Sequence, residues 1–233
     1  MRNDRPRDPD QWFRRPMYRK PRHALEFQPG SAFFELADAV VRRERTLLGY
    51  ECLYSLWQAV RNVADVPGAV AEIGTYQGGS AYFIASALVA ITGGEVPMRV
   101  FDTFEGHPVA AITEHDPFHA PGKFSKTRYE DVQAYLSAFR QLEIYKGDVA
   151  ASLPHLAAAV YRLVHIDTDL YRPTIACLEY FGPCMSPGGI IVIDDYASKK
   201  CPGVPKAVSE YMQQTDAFAA WDLRTAQVAL VRR

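Results

Sequence analysis

The sequence predicts an α/β fold in which a mostly parallel central sheet carries helices on both faces, preceded by an N-terminal helical extension. Three observations lead there. From Ala69 onward, short apolar runs alternate with amphipathic stretches of helical period, the order that builds a parallel sheet. Five of these runs are rich in Val and Ile and too short for helices, as buried strands are. Each run also closes on an acid: Glu72, Asp102, Asp148 just beyond the third, Asp167, and the pair Asp194-Asp195. Ligands of open α/β sheets bind beyond the carboxyl ends of the strands, so the acids mark one site.

Residues 1–30 read as a basic tail, rich in Arg and Pro and without the apolar stretch of a secretory signal. The tail is expected to drape over the surface, or to be anchored by Trp12, Phe13, Met17 and Tyr18 over a site or a partner subunit. Residues 31–233 read as a single domain that opens with a helical segment, 31–66. Ser31 can cap a helix carrying Phe34, Leu36, Ala37, Val40 and Val41. A second helix is expected from about Leu47 to Val63, with Leu53, Leu56, Trp57 and Val60 on one stripe, stopped by Pro67-Gly68.

The strand Ala69 to Ile73 then leads through a glycine-rich turn into a helix from Ser80 to Ile91. Met98 to Phe101 forms the second strand, and Thr127-Arg-Tyr-Glu130 matches a capping box opening a helix to about Phe139. Leu142 to Tyr145 and Tyr161 to Ile166 are the third and fourth strands, followed by a helix with Pro173 near its start. Ile190 to Ile193 is the fifth strand and Val204 to Met212 a helix. Phe218 to Trp221 and Gln227 to Val231 suit an antiparallel pair. The connection from Glu105 to Lys126 is long for a strand–helix loop and is expected to be a lid or specificity element, spanning 105–126.

The 233 residues suffice for one sizeable domain. A net charge of −1 gives no field to attract nucleic acid or an anionic membrane. No apolar run approaches the roughly 20 residues of a membrane helix. Cys52, Cys177, Cys184 and Cys201 show neither a CxxC pair nor zinc-finger spacing. They read as reduced thiols, with a cytoplasmic location expected. A homo-oligomer is compatible with this composition.

The turn Glu72-Ile-Gly74-Thr-Tyr-Gln-Gly78-Gly79-Ser80 suggests the ligand. Gly74 and Gly78 let the backbone turn tightly, and the following helix offers free N–H groups to a carboxylate. The spacing is not the dinucleotide pattern GxGxxG, and no Lys-Ser/Thr follows as in a P-loop. An acid at the head of such a loop suits a ligand bearing both positive charge and a carboxylate, as the aminoacyl end of S-adenosylmethionine does. The cofactor set is therefore Glu72, Gly74, Gly78 and Ser80, with Asp102 placed to accept from ribose hydroxyls. Asp148 is either a helix N-cap or an adenine contact.

Four separated blocks resemble, in order, those of the macrocin O-methyltransferase family. They are Val70 to Ser80, Phe101-Asp-Thr-Phe-Glu-Gly106, His165-Ile-Asp-Thr-Asp-Leu-Tyr171 and Ser186-Pro-Gly-Gly-Ile-Ile-Val-Ile-Asp-Asp-Tyr196. The resemblance implies a Rossmann-like class I methyltransferase fold and S-adenosylmethionine as cofactor. It further implies an acceptor hydroxyl on a sugar or polyol of a natural product, Mg²⁺ at Asp167, Asp194 and Asp195, and Asp169 as the general base. The linker holding Glu114-His-Asp-Pro-Phe-His119 has no clear counterpart in the family, and the third-strand block lacks the aromatic residue often found after its Gly.

The acidic cluster leads to the same chemistry from the residues alone. Several carboxylates in one crevice repel unless protonated or bound to a cation, and oxygen-only ligands favour a hard ion such as Mg²⁺; Asp195 could instead be a helix cap. His115 and His119 are the alternatives to Asp169 as base. A catechol-like phenol is the alternative acceptor, although Leu170 and Tyr171 stand where such enzymes often carry a lysine. A non-catalytic nucleotide-binding module would keep Glu72 and Asp102 but need no acidic cluster. A nicotinamide dehydrogenase is disfavoured by the glycine spacing.

Overall fold

The computed structural model of the chain describes residues 28–233. The aromatic anchors considered for the tail, Trp12 to Tyr18, lie outside the described residues. The helical extension comprises α1 (Ala32–Val41) and α2 (Tyr50–Asn62). The Ser31 side chain caps α1 by accepting from the Phe34 N–H at 3.2 Å. The alternating unit follows as β1 (Ala69–Ile73), α3 (Gly79–Thr92), β2 (Met98–Asp102), α4 (Tyr129–Leu136) and β3 (Leu142–Lys146). A short α5 (Val149–Ser152) leads to β4 (Tyr161–Ile166), α6 (Tyr171–Phe181), β5 (Met185–Ile193) and α7 (Gly203–Gln213), and the hairpin β6 (Phe218–Asp222) and β7 (Val228–Arg232) closes the fold.

The seven strands form one sheet in the order β3-β2-β1-β4-β5-β7-β6. The first five are parallel, and β7 pairs antiparallel with both β5 and β6. Strand order reverses between β1 and β4, so the crevice opens above the carboxyl ends of these two neighbours. The predicted α/β class, the parallel sheet and the C-terminal hairpin are all present.

Alternation along each strand divides the core in two. Val70, Val100, Leu163 and Val192 face the helices α1, α2 and α3, where Phe33, Leu53, Leu56, Phe83 and Leu88 pack. Ala71, Ile73, Val164, Ile166, Ile191 and Ile193 face α6 and α7, against Cys177, Leu178, Phe181, Val204 and Val208. Each large side chain buried this way contributes roughly 1.5–3 kcal/mol. All four cysteines are free thiols, as expected.

Two local expectations are corrected. The capping box at Thr127 does not form. Arg128, not Thr127, is the N-cap of α4 and makes no side-chain cap bond, and the Thr127 hydroxyl donates instead to the Tyr76 carbonyl. The helix accordingly starts late and ends at Leu136, short of Phe139. The fifth strand begins at Met185 rather than Ile190, since the backbone pairs with β4 through an irregularity that carries Gly188 at φ +77°.

Candidate active site

The strand ends converge on one cavity of about 630 Å³. On its β1–β2 side the backbone geometry is set by glycine. Gly74 has φ +85°, and a Cβ there would overlap the carbonyl oxygen of Asp167, so β1 and β4 can lie this close only without a side chain. Gly78, at φ +80°, is the N-cap of α3. Ser80 lines the cavity from the first turn of that helix, whereas Gly78 sits behind the wall.

Asp102 ties the two turns together. Its carboxylate accepts from the Tyr76 N–H at 2.8 Å and from the Phe104 N–H at 2.7 Å while still lining the cavity. Burial pushes its pKa up, against the lowering effect of these hydrogen bonds. Asp148 accepts from the Ala150 N–H at 3.0 Å, so it caps α5, and it lines the cavity as well. Glu72 is placed differently. It is fully buried, accepts from the Thr75 hydroxyl at 2.8 Å and faces Nδ1 of His165 at 3.1 Å, its neighbour across the β1–β4 ladder. Thr75 lines the cavity and Glu72 does not. Alternation along β1 turns the Glu72 side chain to the same side of the sheet as Val70, the face covered by α1, α2 and α3.

On the β4–β5 side the ladder continues one residue past each strand. The Asp167 N–H donates to the Ile73 carbonyl and the Asp194 N–H to the Ile166 carbonyl, both at 2.8 Å, which fixes the two acids at adjacent strand ends. Carboxylate oxygens of Asp167, Asp194 and Asp195 lie within 4.8 Å of one another. Burial, and then the neighbouring Asp194, Asp169 and Asp195, push the Asp167 carboxyl well above the usual range. Asp169 is pushed up to about 8, by burial first and Asp195 second. Such a cluster of hard oxygen donors, mutually repelling when ionised, fits a divalent cation such as Mg²⁺. Asp169 and Asp195 both hold left-handed backbones, with φ +61° and +58°, a conformation aspartate tolerates better than most residues. The Cys201 thiol donates to Asp169 Oδ1 at 3.5 Å.

The histidines are distributed differently from expectation. Neither His115 nor His119 lines the cavity. His115 packs edge-on against the Tyr171 ring, 4.8 Å between centroids. His119 is buried, with Nε2 held by the Lys200 carbonyl at 2.9 Å. The histidine that faces the cavity is His107, with Nε2 at 3.9 Å from Asp169 Oδ2. Burial, then His119 and Lys123, hold its pKa down to about 4. The available signal was its position directly after the matched block ending at Gly106. Lys123, Phe124 and Cys201 also line the cavity and were not anticipated.

Residues 105–126 form a wall of the cavity. Their anchor is Asp116, only 1% exposed, which accepts from the Thr113 N–H and hydroxyl and, through its other oxygen, from the Tyr171 N–H at 2.9 Å.

The macrocin O-methyltransferase (TylF) family model matches residues 34–229. The chain belongs to this family. Among its relatives is the 8-demethyl-8-(2,3-dimethoxy-alpha-L-rhamnosyl)-tetracenomycin-C 4'-O-methyltransferase of Streptomyces olivaceus, 32% identical over 169 residues; the match covers 67% of this chain and 64% of that protein. The chain thus spans a little under two thirds of that relative's length. The mycinamicin III 3''-O-methyltransferase of Micromonospora griseorubida is 28% identical, with 71% and 69% covered. Among solved structures of the wider fold, the O-methyltransferase NovP superposes with a TM-score of 0.72 at 26% identity, covering 81% of this chain and 82% of NovP. The calicheamicin methyltransferase CalS11, at 23% identity and TM-score 0.67 with 84% and 91% covered, shares the fold. These macrocin-family blocks coincide with the cavity wall: Gly74, Asp102, Asp167 and Asp194 each come from a different one.

Proposed function

We propose that this chain transfers the methyl group of S-adenosylmethionine to a hydroxyl on a sugar or polyol group of a natural product, with Mg²⁺ as its resident cation. The observation that carries the reading is the meeting, in one cavity, of the Gly74 turn and Asp102 with the carboxylates of Asp167, Asp194 and Asp195. The cofactor belongs on the β1–β2 side. The start of α3, where Ser80 lines the cavity, suits its carboxylate, the Gly79 N–H being taken up by the Arg45 carbonyl. The Asp102 oxygens each keep acceptor capacity for ribose hydroxyls beyond their backbone bonds, and Asp148 lies where an adenine contact is expected. Glu72 acts through Thr75, holding the loop in shape from behind.

The acceptor belongs on the β4–β5 side, with His107, Lys123 and Phe124 as its wall. Mg²⁺ would be held by Asp167, Asp194 and Asp195, and when bound supplies Lewis acidity toward the acceptor oxygen. Asp169, beside them, takes the hydroxyl proton in its ionised form as the oxygen attacks the sulfonium methyl, and S-adenosylhomocysteine leaves. A hydroxyl on a sugar is favoured by the relatives named for methylation at 4' and 3'' positions.

The test is mass spectrometry of reactions containing S-adenosylmethionine and a panel of hydroxylated glycosides, with Mg²⁺ and with chelator. The expected result is S-adenosylhomocysteine and a singly methylated glycoside, both lost on chelation and restored by Mg²⁺. Full activity after exhaustive chelation would remove the metal from the reading. Failure to bind S-adenosylmethionine by calorimetry would remove the reading altogether.

A further inference from the structure

Beside the all-carboxylate cluster stands a second group of convergent donors. The Lys200 carbonyl can only accept, so the His119 Nε2 facing it at 2.9 Å carries the ring proton, and Nδ1 is left as a lone pair. That lone pair is directed at His107 Nε2, 3.1 Å away. A positive charge already faces it as well, since Lys123 Nζ lies 3.3 Å from the same atom. His107 Nε2 is in turn 3.9 Å from Asp169 Oδ2, and one donor atom from each of His107, His119 and Asp169 falls within 4.8 Å of the others.

We propose that His107, His119 and Asp169 form a second cation subsite, which takes a borderline divalent ion such as Zn²⁺ or Co²⁺. Imidazole nitrogens favour such ions, whereas the neighbouring oxygen-only cluster favours Mg²⁺. The nitrogen separation fits: two nitrogens bound at about 2.0–2.1 Å to one ion stand roughly 2.9–3.4 Å apart between right-angle and tetrahedral geometry. The Lys200 carbonyl supplies the outer hydrogen bond that ligating histidines ordinarily make through their other ring nitrogen. Without an ion, the two imidazoles share a hydrogen bond and Lys123 supplies the positive charge. When an ion binds, His107 carries its proton on Nδ1 instead, and the Lys123 ammonium moves out into solvent. The site itself does not depend on the proposed methyl transfer. Its consequence does: an ion held by Asp169 occupies the base and stops turnover.

The test is a Co²⁺ titration of the untagged full chain saturated with Mg²⁺, followed by visible absorption. The expected result is a set of d–d bands typical of nitrogen ligation that Mg²⁺ does not displace. The bands are lost in His107→Gln and His119→Gln, retained in His115→Gln, and reached at lower Co²⁺ in Lys123→Met. His119→Gln keeps an N–H for the Lys200 carbonyl, so its fold is preserved, which thermal unfolding checks. X-ray absorption of the Zn²⁺-loaded wild-type protein gives a count independent of any variant, with two imidazoles expected. Bands that Mg²⁺ displaces, bands surviving in both histidine variants, or no imidazole around zinc would overturn the proposal. Each outcome is read without turnover, so failure of the methyl-transfer reading would be seen separately.

Discussion

Asp167 and Asp169 are separated by one residue, yet the structure gives them different surroundings, and their variants should behave differently. Asp167 shares its cluster with Asp194 and Asp195, whereas Asp169 turns through a left-handed backbone toward Cys201 and His107. Asp194→Asn is therefore expected to lose turnover far more than S-adenosylmethionine affinity. Asp169→Asn should keep Mg²⁺ binding while slowing the chemical step. Calorimetry with Mg²⁺ and single-turnover kinetics separate the two, and loss of Mg²⁺ binding in Asp169→Asn would reverse the assignment. Asp102→Ala should weaken the cofactor by roughly 1.5–3 kcal/mol, as for hydrogen bonds to a charged group; unchanged affinity in a folded variant would take Asp102 out of the site. At this scale the sequence was informative about acids that end strands, because a strand end aims its last side chain at the crevice. Glu72 lies outside the cavity lining because it sits one residue before the strand end, on the opposite side of the pleat from Ile73. His107 was passed over because a lone histidine in a loop carries no periodicity.

Among the elements, the wall of residues 105–126 shows most clearly how a loop without regular structure is held. The Asp116 carboxylate satisfies the Tyr171 N–H at the start of α6 and closes the Thr113 turn. Asp116→Ala leaves these part-buried donors without their protein partner, at a combined cost of about 1–3 kcal/mol, since water reaches some of them. It should lower the melting temperature and speed hydrogen exchange across 107–123, with S-adenosylmethionine affinity nearly unchanged. Uniform exchange in the variant and the parent would show that the wall is held by something else. The length of the segment marked it as special, but its anchoring was not legible, since Asp116 reaches a helix 55 residues away. The same reason undid the capping box at Thr127. Its local pattern was complete, but a long-range bond to the Tyr76 carbonyl claimed the hydroxyl.

For the whole molecule, the acidic cluster is a pH-dependent load on the fold. The Asp169 pKa of about 8 lies above its ordinary 3.8, so the folded chain holds a proton that the unfolded chain releases. That contribution to stability is complete below about pH 4 and is lost as pH rises through about 8, and the raised Asp167 acts in the same direction. Chelated protein should therefore melt at falling temperature across this window. Added Mg²⁺ should flatten the dependence by binding the ionised cluster. A chelated profile as flat as the Mg²⁺ profile would show that the acids do not repel as placed. The parallel sheet itself was legible, because alternating elements and buried apolar runs admit few other arrangements. The position of β7 between β5 and β6 was not, since a hairpin announces its pairing but not which of its strands meets the sheet.

That insertion sets an order of events during synthesis. β6 leaves the ribosome before β7 but has no place in the sheet until β7 has paired with β5. Until then the edge of β5 from Ile190 to Ile193 stands open, an apolar strand ready to pair with another chain. A chain in which Val228–Arg232 has not paired exposes this apolar edge, so substitutions that weaken the β5–β7 ladder should raise aggregation during refolding.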